Sequence, residues 1–446
     1  MTTPPCPYAA LYEPEFHADP HTVNERLRKE YGPVIPVELE PGVRGWSVID
    51  YATLIAWCRD TRTFSRDSRR WRDWREGRVA DGSGTLGMMM RRPNVLFADG
   101  AEHQRLRRAV TDSLAAMDAT ALTEVARASA NQLVDAFCER GEAEILEDYA
   151  RLLPFLVINH LFGFEEENAR RFAVAMRDLF DGIDVERSNA ELERVASAEI
   201  TRKRRQPGKD VTTGLLEHRA ELADEEILQH LVLIVGAGNE PTANLIANAM
   251  RILLTDRDLG DDVAGSRTSI EDAVDRVLWT DSPLTNYPVM YPTSDIPLAN
   301  GQEIKEGEPV MLGYAAANRS VAHEYAESMG SAPNRAHLAF GVGPHRCPAQ
   351  DTAIMIATTG LRTLLRRLPG LRLAVAPDEL EWRVSIFARS LTRLPVAFDP
   401  QAPLEEGTPW KQSPSSPETS TASPDTSAPS GRSSLSNFLA RLMRGR

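Results

Sequence analysis

From Leu338 to Gln350 the chain reads LAFGVGPHRCPAQ, and no other stretch limits the fold as much. Gly341 and Gly343 free the backbone for a turn that residues with a Cβ disfavour, and they let it come close to something flat and bulky. Pro348 suits the first position of a helix, where its missing N–H costs nothing, and the residues after it, AQDTAIMIATTGLRTLLRRL, place apolar side chains at helical spacing. The turn therefore aims Cys347 from a helix N-terminus, where backbone N–H groups and the helix dipole favour a thiolate. These residues alone leave three roles open for Cys347: buried filler, catalytic nucleophile or metal ligand. No CxxC stands beside it to support zinc, and a nucleophile would need a base held nearby. Cys6, Cys58 and Cys138 lie far apart with no disulfide framework; Cys58 and Cys138 follow aromatics in helix-like patterns and read as buried fillers.

Helical periodicity dominates the rest. Ala121 to Phe137, Asp148 to Phe162 and Leu228 to Leu254 repeat apolar residues three and four apart, and most of the first 265 residues reads as helix. Strand signals are confined to Trp46–Ile49, Tyr287–Pro297 and Pro309–Gly313, and NGQEIKEGEPVML reads as a short hairpin with turns at Asn300-Gly301 and Glu306-Gly307. The expected architecture is mainly α with a small β region. A formal charge of −13 argues against nucleic-acid binding, since a polyanion would be repelled. No run approaches a membrane span, and the first residues carry no basic, then apolar, secretory pattern, so a cytoplasmic protein is expected.

Beyond residue 400 the composition changes. About two thirds of Lys411 to Ser434 is Ser, Thr or Pro, too polar to offset chain entropy by burial, so 401–434 is read as a disordered linker. Leu435, Phe438, Leu439, Leu442 and Met443 then fall on one helical face beside Arg441, Arg444 and Arg446, making 435–446 a short basic amphipathic helix. Such a short helix is marginal in water; it is either an inert end or a module that docks to an anionic membrane or a partner groove.

With the turn, the helices and the spacing in view, Phe340-Gly341-x-Gly343-x-His345-x-Cys347 resembles the haem-binding signature of the cytochrome P450 family, with Ala349 where the last glycine usually stands. The resemblance implies the P450 fold over residues 1–400: a triangular α-rich prism with haem b between an oxygen-side helix and the helix after the cysteine. It makes Cys347 the axial iron ligand, whose electron donation favours O–O cleavage, and sends His345 to a haem propionate. FADGAEHQRLRR, Phe97 to Arg108, resembles the family's HxxxR element, in which His103 and Arg107, one turn apart, bind propionates. LVLIVGAGNEPTANLIANAM, Leu231 to Met250, resembles the oxygen-side helix, with Ala237 and Gly238 over the haem and Glu240 as the acid.

Three departures stand out. Pro241 replaces the threonine that usually follows the acid, so proton delivery to oxygen would pass through Glu240 and Thr242, the latter about 100° further round an ideal helix from position 241. The Glu-x-x-Arg pair is missing: AVDRVLWTDSP puts Arg276 and Trp279 in its place, no PERF follows, and Trp279 is read as filling the space of a lost ionic network. Met290 stands where many relatives place a propionate-binding arginine. Together these resemble an actinobacterial P450 subgroup lacking the Glu-x-x-Arg motif.

The function implied is a haem-thiolate monooxygenase oxidising an apolar small molecule with O₂, its electrons coming from NAD(P)H through ferredoxin reductase and ferredoxin. Arg105, Arg108, Arg346, Arg366 and Arg367 form the expected basic docking patch, and the stretch Arg69 to Arg92, with Trp71, Trp74 and Met88 to Met90, the expected adaptable pocket. Pro241 keeps two other readings in play: a haem protein with weak or no turnover acting as sensor or scaffold, and a peroxide-dependent oxidase.

Overall fold

The computed structural model describes residues 8–180, 184–328 and 334–404. Cys6, the linker beyond Leu404 and the amphipathic segment 435–446 lie outside the described residues.

The principal helices are α1 (Pro20–Tyr31), α2 (Tyr51–Arg59), α3 (Gly100–Ala115), α4 (Ala119–Asp135), α5 (Leu152–Phe162), α6 (Glu166–Phe180), α7 (Val185–Arg205), α8 (Asp224–Thr255), α9 (Ile270–Thr280), α10 (Tyr314–Ser328) and α11 (Gln350–Arg367). Their starts follow local chemistry. The Asp118 carboxylate accepts from the Thr120 and Ala121 N–H groups at the head of α4, Ser269 and Asp272 form a reciprocal cap on α9, and Asp224, Glu225 and Glu226 complement the positive end of α8. Helix α8 runs unbroken through Pro241, which removes the N–H that would have bonded the Ala237 carbonyl.

Helix α8 packs against α5, α7, α9 and α11, and α11 also against α4, giving one large apolar core. Close approach is built in. A Cβ on Gly360 of α11 would sit 2.6 Å from Leu153 Cδ2, and the fully buried Tyr149 donates its hydroxyl to the Gly360 carbonyl at 2.8 Å. The helical spacing expected from Asp148 to Phe162 is met by a wide, π-type helical turn over Leu146–Ala150 that leads into α5.

The β region is a six-stranded sheet formed by β1 (Ala9–Ala10), β2 (Val34–Glu40), β3 (Val43–Val48), β4 (Phe64–Ser65), β6 (Val289–Pro292) and β9 (Val310–Leu312). Its order is β1-β2-β3-β9-β6-β4, with β9 parallel to β3 and antiparallel to β6. The expected hairpin is repartitioned. Ile296–Pro297 (β7) pairs with Glu303–Ile304 (β8) around Asn300-Gly301, where Gly301 has φ 82°, while β9 leaves for the main sheet. A third sheet joins β5 (Glu142–Glu144), β11 (Pro395–Ala397) and β10 (Arg372–Leu373). Beyond it Gln401 N–H donates to the Cys138 carbonyl and Leu404 N–H to Asp135, so 401–404 are tied to the body by hydrogen bonds. No helix among the described residues is long and apolar enough to cross a membrane.

Candidate functional site

Gly341 and Gly343 adopt φ 71° and 76°, the left-handed region that glycine alone occupies without strain. Space demands glycine as well: a Cβ at position 343 would lie 2.6 Å from the Cys58 carbonyl oxygen, and one at 341 would lie 3.1 Å from the Tyr314 hydroxyl. The loop is closed by Cys347 N–H donating to the Phe340 carbonyl at 2.8 Å. Helix α11 begins at Gln350, so Pro348 stands two residues ahead of it rather than at its first position. Cys347 is a half-buried residue. Burial pushes its pKa up, while the Ala349 N–H and the Arg107 and Arg346 cations pull it down.

Helix α3 presents His103 and Arg107 to this loop. The His103 and His345 rings lie 4.1 Å apart, and the Arg107 guanidinium donates to the Arg346 carbonyl. Burial, and after it nearby arginines, keep both histidines below the usual range, so both rings are neutral near pH 7. His103 Nε2 is buried without a hydrogen-bond partner, on a ring that lies against His345 of the loop.

On α8, Ala237 is exposed while Gly236 before it is buried, so the helix opens onto a space at this point. Gly238 has a packing reason of its own, since a Cβ there would meet Ile158 Cδ1 of α5 at 2.9 Å. Glu240 is bound by Arg383 from the C-terminal β region at 3.0 Å. Thr242 is buried at 3% exposure and lies about 200° round an ideal helix from Glu240, so the two do not share a face. Asn244 does share Glu240's face, one turn on; the sequence reading missed it, and its amide is buried with neither polar atom partnered.

The missing Glu-x-x-Arg pair is replaced by more than Trp279. Trp279 stacks on Tyr51 at 6.3 Å between centroids, meets His337 edge-on at 6.1 Å and donates to the Asn334 carbonyl at 2.6 Å. Beside it the buried Asp275 pairs with Arg335 at 2.9 Å and lies 3.7 Å from His337. An ionic link therefore survives one position before the expected glutamate, while Arg276 is exposed and pairs with Asp256 at 2.7 Å.

Two other expectations change. Arg105 is tied to Glu226, and Arg367 is buried with bonds to Asn131 at 3.2 Å and Asp135 at 2.6 Å, so of the five expected patch arginines only Arg108, Arg346 and Arg366 are exposed. Trp71 is fully buried in the N-terminal core. Met88 and Met89 do line a small apolar cavity, with Leu96, Phe97, Tyr287 and Tyr291.

Among the described residues no group of three His, Cys, Asp or Glu side chains gathers to hold a metal. A single aimed thiol fits an iron whose other ligands come from a prosthetic group. Two neutral histidines and Arg107 beside it fit that group's carboxylates, and the exposed small residue on α8 fits its flat face.

No protein-family model matches the chain. Individual relatives do: it is 31% identical to 2-hydroxy-5-methyl-1-naphthoate 7-hydroxylase of Streptomyces carzinostaticus, over 88% of this chain and 97% of that one. It is 30% identical to the cytochrome P450 monooxygenase PikC of Streptomyces venezuelae, over 86% of this chain and 92% of that one. Among solved structures it matches CYP154A1 from Streptomyces coelicolor A3(2) with a TM-score of 0.75 and 31% identity, over 85% of this chain and 98% of that one. It matches the myxobacterial cytochrome P450 CYP267B1 in complex with myristic acid with a TM-score of 0.77 and 28% identity, over 87% and 98% of the two chains. Likeness over nearly the full length of these relatives, in sequence and in fold, has one meaning: the chain belongs to the cytochrome P450 family, the oxidoreductases that bind haem b.

Proposed function

We propose that this monooxygenase oxidises an apolar small molecule held between α8 and the methionine-bearing loop, with Cys347 as the axial ligand and a ferredoxin, reduced by its NAD(P)H-dependent reductase, as electron donor. The observation that carries this is the Cys347 loop, closed on Phe340 and facing the buried, unpartnered His103 Nε2. Haem bound there supplies activation of O₂. His103, Arg107 and His345 would hold its carboxylates, and Phe340, Gly341, Gly343, Ala237 and Gly238 would border its faces.

The protein's own contribution is substrate placement and protons. Glu240, anchored by Arg383 near the surface, is the group that would exchange protons with solvent, and Asn244 supplies a second polar stop on the same face. Thr242, on another face, would act only through an intervening water. The apolar cavity beside Met88 and Met89 supports an apolar substrate, as do the naphthoate and myristic acid named for two relatives. Arg108, Arg346 and Arg366 would receive an acidic ferredoxin in the cytoplasm.

The test is a spin-state titration of the purified holoprotein with apolar compounds, followed by product analysis with NADPH, ferredoxin and reductase. Turnover coupled to NADPH supports the reading. Substrate-induced spin shifts without product would favour a sensor instead, and product with peroxide alone a peroxide-dependent oxidase, the reading that Pro241 motivates.

A further inference from the structure

Arg66 is a buried cation without an anion. It is 6% exposed, immediately after β4, and none of the described carboxylates forms an ion pair with its guanidinium. The partner of its guanidinium is neutral: Nη1 donates to the Val289 carbonyl at 3.3 Å, and the side chains that feel its charge include the Cys58 thiol and the Tyr314 hydroxyl. Its backbone N–H donates to Asp99 at 3.0 Å, which fixes the chain and leaves the side chain free of that carboxylate. An unpaired buried charge is costly, so such a side chain implies an anion in the working protein.

The surroundings say where that anion sits. Met290, Cys58 and Tyr314 share one buried cluster, and that cluster abuts the cysteine loop: a Cβ on Gly343 would lie 2.6 Å from the Cys58 carbonyl oxygen and one on Gly341 3.1 Å from the Tyr314 hydroxyl. The same loop carries His345, whose ring is 4.1 Å from that of His103, with its unpartnered Nε2. The position of Arg66 also explains Met290. Strands β4 and β6 pair antiparallel with Phe64 opposite Pro292 and Ser65 opposite Tyr291, so the same register carries Arg66 opposite Met290. Met290 is 1% exposed and packs in the cluster that holds Cys58 and Tyr314, the neighbours of the Arg66 guanidinium.

We propose that Arg66 binds a carboxylate of the cofactor, the cation having moved across the β4–β6 ladder from position 290 to its cross-strand neighbour. This rests on the haem reading above. Arg66 thereby joins Arg107, His103 and His345 as a cofactor-positioning residue.

The test uses holoprotein and measures haem release to excess apomyoglobin, together with the ferric/ferrous potential and the melting temperature of each apoprotein. Arg66→Met is expected to release haem about tenfold faster or more and to lower the potential, because a cation beside the cofactor favours the reduced, less positive state. Met290→Arg placed in the Arg66→Met background is expected to restore release to within about threefold of wild type, and Arg66→Lys to fall between. Unchanged release in Arg66→Met overturns the proposal. So does faster release that Met290→Arg leaves uncorrected and that is matched by a lower apoprotein melting temperature, since that marks a purely structural arginine. If wild type lacks the thiolate signature of ferrous–CO haem, the haem-thiolate reading fails instead, a result distinct from either outcome for Arg66.

Discussion

Arg383 reaches from the C-terminal β region to Glu240 in the middle of α8, Nη1 to Oε1 at 3.0 Å, with the acid's side chain 13% exposed. The pair keeps the carboxylate at one place on the helix and couples it to solvent through a half-buried arginine. Glu240→Gln is expected to lower NADPH-driven product formation by about 10- to 100-fold while leaving peroxide-driven turnover within about threefold of wild type. Arg383→Ala should lower coupling by about tenfold or less, since the acid itself remains. Product per NADPH consumed, beside a peroxide assay, checks both.

Gly343→Ala should be among the most damaging single changes in the cysteine loop. The new Cβ would meet the Cys58 carbonyl oxygen at 2.6 Å, and the residue would hold φ 76° at a cost of about 1–2 kcal/mol before the clash is counted. The variant is expected to melt lower and to retain less haem; an unchanged haem-to-protein ratio and melting curve would refute the fit described for the loop.

The Asp275–Arg335 link should matter to stability rather than to chemistry. Asp275 is buried but Arg335 is well exposed, so water screens part of the attraction, and Asp275→Asn is expected to cost about 1–2 kcal/mol in denaturant unfolding with the CO spectrum unchanged. Trp279→Ala should cost about 2–3 kcal/mol through lost stacking on Tyr51 and His337. A Trp279 variant as stable as wild type would show that the tryptophan does not fill the place of the missing ion pair.

His230 provides a pH prediction away from the haem pocket. It is fully buried; its Nδ1–H donates to the Glu226 carbonyl, and its Nε2 accepts the Val95 N–H at 3.1 Å, so only the neutral ring satisfies both partners. Burial lowers its pKa from the ordinary 6.5. The unfolded chain therefore binds a proton that the folded chain refuses, and stability from this group is complete above about pH 6.5 and falls as pH drops below it. His230→Gln is expected to be less stable at pH 7.5 but to lose less further stability than wild type between pH 7 and 5. Parallel losses in the two proteins would contradict the assignment.

The sequence carried the cysteine loop because its glycines, histidine and thiol are close together, and each is demanded by local geometry: two positive φ values, two close approaches and one backbone bond. The long helix was equally legible, since its apolar spacing persists through Pro241. Contacts joining distant segments were not. Nothing near Asp275 announces Arg335 sixty residues on, nothing near Glu240 announces Arg383, and the role of Arg66 depends on a strand pairing that periodicity cannot reveal. The expected basic patch loses two of its five arginines for a related reason. Composition counts arginines but does not say that Arg105 and Arg367 are already bound to Glu226 and Asp135.

The central claim, that Cys347 binds the haem iron as a thiolate, is tested most directly by the absorption spectrum of reduced, CO-saturated holoprotein beside its Cys347→Ser variant. The account predicts the strongly red-shifted Soret band of a thiolate-ligated CO complex in wild type, replaced in the variant by the shorter-wavelength band of a weaker ligand. A haem-loaded wild type without the red-shifted band, or a variant that keeps it, would contradict the account.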